Sequence, residues 1–213
     1  MNRKEIKKEA KAKYKNNKLN IWVPLLLWGV VVSVIYIIIS LSGLQMVTDE
    51  GKLTIESNIY SMLISMIQAL FLVGYYKYLL NFVRTGNFLS LKESFIGLKQ
   101  SWATIILGYI LINIFTSIGY ILLIIPGIIL TLGFSMFFYI ISDNKAEDAM
   151  DGIKKSWQLM KGYKWNYFVF NLSFIGWYLL CILTCGILLI WVVPYCNMAF
   201  AIYYDKLQQT KEK

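Results

Sequence analysis

The chain contains no histidine, so Ser-His-Asp triads, Cys-His dyads and H-E-x-x-H zinc sites drop out at once. No G-x-S-x-G elbow, Walker-type phosphate loop or G-x-G-x-x-G turn occurs either. Three sets of residues could still do chemistry. The first is the acidic group Asp143, Glu147, Asp148 and Asp151, because a hard cation needs several oxygens converging on one loop. EF-hand spacing is missing, however, and Lys145 intrudes. The simpler role has Asp143 capping an interfacial helix, acids in its first turns and Lys161 and Lys164 at its end, which matches the helix dipole. No metal site is expected.

The second set is Cys181, Cys185 and Cys196. Cys181 and Cys185 lie one helical turn apart, where a disulfide would be strained in a regular helix, so packing as small hydrophobes is the expected role. The third set is Asn113, Asn171 and Asn197, polar residues inside charge-free stretches. Such side chains hydrogen-bond neighbouring helices for about 0.6–2 kcal/mol each, or they line a polar cavity for lipid or solute. No charge sits within the apolar stretches apart from Lys77 near an end, which disfavours a proton-coupled pump. The expected catalytic, cofactor and metal residues are therefore none, and the protein is not expected to be an enzyme.

The elements carrying these residues follow from charge distribution. The chain has 213 residues, 58% hydrophobic and only 15% charged, beyond the ordinary globular balance of roughly 45–50% apolar and 25% charged. Charges vanish from Leu19 to Thr48, Ser57 to Tyr76, Ser101 to Ser142 and Trp165 to Tyr204. About 20 apolar residues cross a bilayer core, so the first two stretches hold one helix each. The last two, 42 and 40 residues long, must each fold back, with turns expected at Pro126-Gly127 and at Thr184-Cys185-Gly186. "SIGY" at Ser117 to Tyr120 offers another break. Six spans result, near 21–43, 57–80, 102–125, 127–143, 165–183 and 187–204. The first apolar run is too long for a signal-peptide h-region and reads as a permanent span.

Twenty of the 21 Lys and Arg then fall on one side, leaving only Lys52 on the other. The positive-inside rule places both termini and both long loops in the cytoplasm. The net charge of +9 is thus spent flanking helices, so no nucleic-acid partner is expected. A basic rim instead attracts anionic lipid head groups.

"GLKQSW" at Gly97 to Trp102 and "GIKKSW" at Gly152 to Trp157 precede the third and fifth spans. "IGYILL" from Ile118 and "IGWYLL" from Ile175 follow them in the same order, which favours a duplicated unit. The segments around the hexapeptides are amphipathic: Ala146, Ala149, Met150, Ile153, Trp157 and Met160 share one face, as do Phe88, Leu91, Phe95, Leu98 and Trp102. The N-terminal segment is a third version with a thin face of Ile6, Ala10 and Tyr14. Such helices are expected in the membrane interface, with Lys154, Lys155, Trp157, Lys161 and Lys164 as the lipid-facing set. The inner ends of the even spans also rhyme, "YYKYLL" from Tyr75, "FFYII" from Phe137 and "YYDKLQ" from Tyr203; taken singly, each is an ordinary head-group belt.

The stretches "IPGIILTLGFSMFFYIISDN", "AMDGIKKSWQLMKGYKWNYF", "LSFIGW" and "PYCNMAFAIYYDKL", with the basic start "MNRKEIKKEAK", resemble the bacterial multi-pass membrane family catalogued as domain of unknown function 975. The resemblance spans nearly the whole chain and implies no catalytic or binding residues. That family is distantly similar to membrane regions attached to some glycerophosphodiester phosphodiesterases, which implies a membrane-embedded helper role; their catalytic domain has no counterpart here.

The expected fold is all-α: a polytopic integral membrane helical bundle of six transmembrane helices as three hairpins, with cytoplasmic interfacial amphipathic helices. One membrane domain covers 1–213: a basic cytoplasmic helix (1–20), a first hairpin (21–83), interfacial helix plus second hairpin (84–143), interfacial helix plus third hairpin (144–204) and a cytoplasmic tail (205–213). The expected setting is the bacterial cytoplasmic membrane. The expected function is a non-enzymatic accessory protein that binds lipid, anionic at the cytoplasmic face, or a partner peptide or protein, in envelope homeostasis, export or self-protection. The alternative is a channel or facilitator for a small or amphipathic solute.

Overall fold

The computed structural model describes residues 2–41, 55–96 and 98–212. Lys52, with its neighbours Asp49 and Glu50, and Gly97 of "GLKQSW" lie outside the described residues. All regular structure among the described residues is helical. Five helical stretches are long and apolar enough to cross a membrane: Lys18–Leu41, Asn58–Thr85, Trp102–Leu122, Ile124–Ser142 and Lys164–Leu183. That is the composition of a multi-pass membrane protein.

The first of these is α2 (Lys18–Leu41), and the second lies in α3 (Ile55–Thr85). α4 (Leu91–Ile96) follows, started by a reciprocal cap. The Ser90 amide donates to the Glu93 carboxylate at 3.0 Å, and the Glu93 amide donates back to the Ser90 hydroxyl at 3.2 Å. α5 (Leu98–Leu122) then folds back on α6 (Ile124–Phe134). The break between them is at Leu123, which is fully extended with φ −166° and ψ 151°, not at Pro126-Gly127 as expected. Proline lacks an N–H, but the first turn of a helix has no internal acceptor for one, so Pro126, the third residue of α6, sits there without penalty. Gly127 has a different use. A Cβ there would stand 2.4 Å from the Tyr120 ring, so its bare Cα admits that ring, whose hydroxyl hydrogen-bonds Thr131 Oγ1 at 3.1 Å. "SIGY" does not break the helix, for α5 runs through it.

After α6 come α7 (Phe137–Ser142), α8 (Ala149–Leu159), α9 (Lys164–Leu172) and α10 (Ile175–Leu183). The turn expected at Thr184-Cys185-Gly186 is present. Cys185 and Gly186 take φ of 48° and 87°, and the Gly186 amide closes on the Cys181 carbonyl at 2.8 Å, a Schellman-type stop. All three cysteines are free.

The sixth expected span, 187–204, lies in α11 (Leu189–Lys211), and it differs from the other five. It falls outside the set apolar enough to span, yet its second half is enclosed: Met198, Ala199, Ala201, Ile202, Tyr203, Tyr204 and Leu207 are all at most 1% exposed. A helix screened from lipid by its neighbours has no need of an apolar surface all round. α2 is the opposite case, exposing Leu26, Leu27, Val30, Ile37 and Ile38. It touches the bundle through few residues, among them Trp28, stacked on Phe71 at 4.6 Å.

The three rhyming inner ends meet in the interior. Tyr76 of α3 stacks on Tyr139 of α7 at 4.0 Å, and Tyr139 stacks on Tyr204 of α11 at 5.2 Å. Tyr139 and Tyr204 are buried, so these rings form a shared core rather than a lipid-facing belt. Offset ring pairs contribute about 0.5–1.5 kcal/mol each beyond their buried area.

α1 (Arg3–Asn16) also departs from expectation. Its thin apolar face, Ile6, Ala10 and Tyr14, is buried within the protein core alongside α11 residues. Its polar residues clasp the bundle: Glu9 pairs with Lys206 at 2.8 Å, Lys13 donates to the Val83 carbonyl at 2.6 Å, and Lys7 donates to the Ser173 carbonyl at 2.8 Å. Ser173 stands between α9 and α10, where the helix breaks and carbonyls lose their internal partners; Lys7 supplies one. Burial lowers the pKa of Lys7, and its ammonium also lies 4.3 Å from the Phe174 ring centre.

Candidate functional site

The site grows out of the hexapeptide at Gly152. α8 packs its apolar face inward: Ala149, Gly152, Ile153 and Ser156 are buried, as is Met160 after it, while Met150 and Trp157 keep 40% and 36% exposure. Most of the face expected to meet lipid therefore meets the protein. Three motif residues have a mechanical reason. A Cβ on Gly152 would lie 2.9 Å from the Phe137 ring, so glycine lets α8 approach α7. Ser156 is fully buried; its hydroxyl donates to the Gly133 carbonyl at 2.8 Å and accepts from the Met136 amide at 3.2 Å. It thereby serves both backbone groups opened at the break between α6 and α7. Trp157 covers Gly133, where a Cβ would collide with its indole at 2.3 Å.

Ser156→Ala should therefore leave a buried amide and carbonyl unserved, at about 1–3 kcal/mol. Thermal unfolding of the purified chain in detergent would register this, and an unchanged melting temperature would refute it. The other hexapeptide is set differently. Trp102 is 57% exposed and lies in the first turns of α5, which runs on without interruption, whereas α8 and α9 are separated by a turn through Gly162 at φ 85°.

The acidic group also separates. Asp148, not Asp143, caps α8, its carboxylate accepting from the Asp151 amide at 2.7 Å. Asp151 pairs with Lys155 at 2.7 Å, and this hydrogen bond holds its carboxyl below the usual range. Asp143 is instead recruited to Arg84, at the end of α3. The guanidinium grips Asp143 through two nitrogens at 2.5 and 3.1 Å and gives its Nε to Asp205 of α11 at 2.6 Å. Tyr204 donates to Asp143 at 3.2 Å, Gln208 to the Tyr204 hydroxyl at 2.6 Å, and Gln209 to Asp205 at 2.7 Å. Among the described residues, no three His, Cys, Asp or Glu side chains are placed to hold a metal ion.

Next to this network, between α8 and α11, lies a cavity of about 460 Å3 walled by Lys145, Lys155, Lys211, Gln158, Gln208, Ile140 and Leu159. Of the expected lipid-facing set, only Lys155 reaches it. Lys154 and Lys161 are exposed beyond its rim, and Lys164 lies over the Trp157 ring at 2.9 Å from its centre. None of these last three makes an ion pair among the described residues. Sequence reasoning missed Lys145, Gln158, Gln208 and Lys211. They are spread over the turn before α8, α8 itself and the distant α11, and their only signal was the basic residues that flank the apolar stretches.

The asparagines do not converge. Asn113 donates to the Tyr109 carbonyl at 2.8 Å and Asn171 to the Tyr167 carbonyl at 2.9 Å, each within its own helix. Asn197 is the polar neighbour of the Tyr75 hydroxyl, and among the described residues neither that hydroxyl nor the one of Tyr14 makes a hydrogen bond of ordinary geometry. None of these three asparagines lines the Lys145 cavity, or the cavities beside Tyr14 and on either side of Arg84.

A helical chain with five apolar stretches of membrane-crossing length has the make-up of a multi-pass membrane protein. Residues 118–211 match the family described as "Protein of unknown function (DUF975)", the family its motifs resemble. The match takes in α6 to α11 but not α1 to α4, a smaller part of the chain than the resemblance suggested. No curated protein and no solved structure matches the chain.

Proposed function

We propose that the protein is a non-enzymatic accessory component of the bacterial cytoplasmic membrane that holds anionic lipid at its basic end. In this reading α11 is a sixth crossing shielded by the other helices, both termini are cytoplasmic, and the segments before the odd spans lie at head-group depth. The observation that carries it is the fringe of exposed Lys154 and Lys161 beside Trp157 with the partly buried Lys164 on its ring, none of them in an ion pair among the described residues, at the end of the apolar columns. Basic side chains near a membrane surface attract anionic head groups by roughly 1 kcal/mol each, and an indole suits the same depth. The solute-conduit reading draws no support from the asparagines, since two of them serve their own helices.

The test is lipid enrichment around the full chain in nanodiscs of mixed phosphatidylglycerol and phosphatidylcholine. Enrichment of phosphatidylglycerol should fall with salt, and should drop on the order of tenfold or more when Lys154, Lys161 and Lys164 are all replaced by Gln. A lipid shell that matches the bulk composition in wild type would end this reading.

A further inference from the structure

The cavity between α8 and α11 has a one-sided wall. Lys145, Lys155 and Lys211 line it, and no carboxylate does. The acids that partly balance them pair with the ammoniums from outside the lining: Asp151 is 2.7 Å from Lys155, while Glu212 and Asp143 are 2.8 and 3.7 Å from Lys145. Each ammonium is also held in place. Lys155 donates to the Lys145 carbonyl at 2.8 Å, Lys145 to the Gln208 side-chain oxygen, and Lys211 to the Lys161 carbonyl at 3.1 Å. The Lys211 contact orients the charge without neutralising it. About 460 Å3 far exceeds the roughly 30 Å3 share of a water molecule and falls in the usual range of roughly 300–1,000 Å3 for small-molecule sites. Gln158 adds amide donors at the rim, and Ile140 with Leu159 gives an apolar flank.

We propose that this cavity binds a phosphomonoester. The proposal rests on the reading above, that the basic end meets anionic head groups, and it names the head-group chemistry. A monoester carries about −1.5 to −2 charges at neutral pH and three strong acceptor oxygens, one for each of the three lysines that line the wall. A phosphodiester offers one charge and fewer free oxygens, so it leaves part of the lysine set unanswered. The apolar flank accommodates the carbon skeleton attached to the phosphate. That phosphate comes either from a lipid or from a soluble ester, and the chemistry is common to both.

The experiment uses the full chain in mild detergent and measures apparent Kd by native mass spectrometry. The probes are short-chain phosphatidic acid, short-chain phosphatidylglycerol, short-chain phosphatidylcholine and glycerol 3-phosphate. Phosphatidic acid should bind about tenfold more tightly than phosphatidylglycerol. Lys211→Gln and Gln158→Glu should each weaken it by roughly fivefold, the worth of one lysine facing an anionic head group. Gln158 is exposed, so the second variant adds a carboxylate to the wall while keeping every lysine and the fold. Glycerol 3-phosphate that displaces phosphatidic acid at similar concentration assigns a soluble ester; failure to displace it assigns the lipid-borne form, and both support a monoester site. Equal affinity for phosphatidic acid and phosphatidylglycerol, or an unaltered affinity in Gln158→Glu, overturns the proposal and leaves the anionic-lipid reading standing. Equal affinity for all three lipids, phosphatidylcholine included, overturns both.

Discussion

Replacing Arg84 by Met should lower the stability of the purified chain by about 2–4 kcal/mol, toward the lower part of what breaking a buried ion pair costs because the guanidinium side chain is 36% exposed. The loss does not come mainly from missing attraction. Asp143 and Asp205 have side chains only 11% exposed, and without the guanidinium two carboxylates from different helices remain poorly solvated beside each other. Three helix ends, α3, α7 and α11, lose their common tie. Arg84→Lys should recover only part of the stability, since an ammonium cannot reproduce the fork that grips Asp143 through two nitrogens while a third reaches Asp205. Adding Asp143→Asn to Arg84→Met should also recover part, by removing one of the two facing carboxylates. Thermal unfolding in detergent checks the series; a melting temperature in Arg84→Met equal to wild type would show that the network does not tie the helices.

Gly108→Ala should cost about 1–3 kcal/mol through overpacking, an unusual sign for a helix interior, where alanine normally gains up to ~1 kcal/mol over glycine. The reason is Phe137. A Cβ on Gly108 would lie 2.0 Å from the tip of its ring, and the ring cannot retreat because Gly152 of α8 faces it from another side, with a notional Cβ at 2.9 Å. Phe137 itself is 0% exposed. Two glycines from α5 and α8 thus clasp one ring from α7, a small-residue contact that lets membrane helices approach closely. Gly29→Ala in α2 and Gly176→Ala in α10 are the internal controls, since a Cβ at either meets nothing within 4 Å. Both should be neutral or mildly stabilising. If Gly108→Ala behaves like these two, the ring is free to move and the clasp is not a constraint.

The sequence by itself determined what depends on composition along the chain. Runs without charge must leave water, so the apolar columns, the fold-back within Ser101 to Ser142 and the turn at Cys185-Gly186 could all be read from single stretches. The family match at 118–211 was legible for the same reason, through the contiguous motifs that lie within it. The position of the first turn was misread because proline and glycine carry two meanings: Pro126 is as compatible with a helix start as with a stop, and Gly127 is needed for the Tyr120 ring rather than for backbone freedom.

What only the tertiary structure decided is which faces meet. An amphipathic helix shows that it has an apolar side but not whether lipid or protein covers it. Ile6, Ala10 and Tyr14 of α1 and Ile153 of α8 turned out to face protein. Asp143 looked like a local cap, yet its partner Arg84 lies 59 residues away, and Lys145 and Lys211 share a cavity across a similar separation. Periodicity is a property of one helix, whereas ion pairs and cavities belong to helices brought together, and no local pattern encodes that distance.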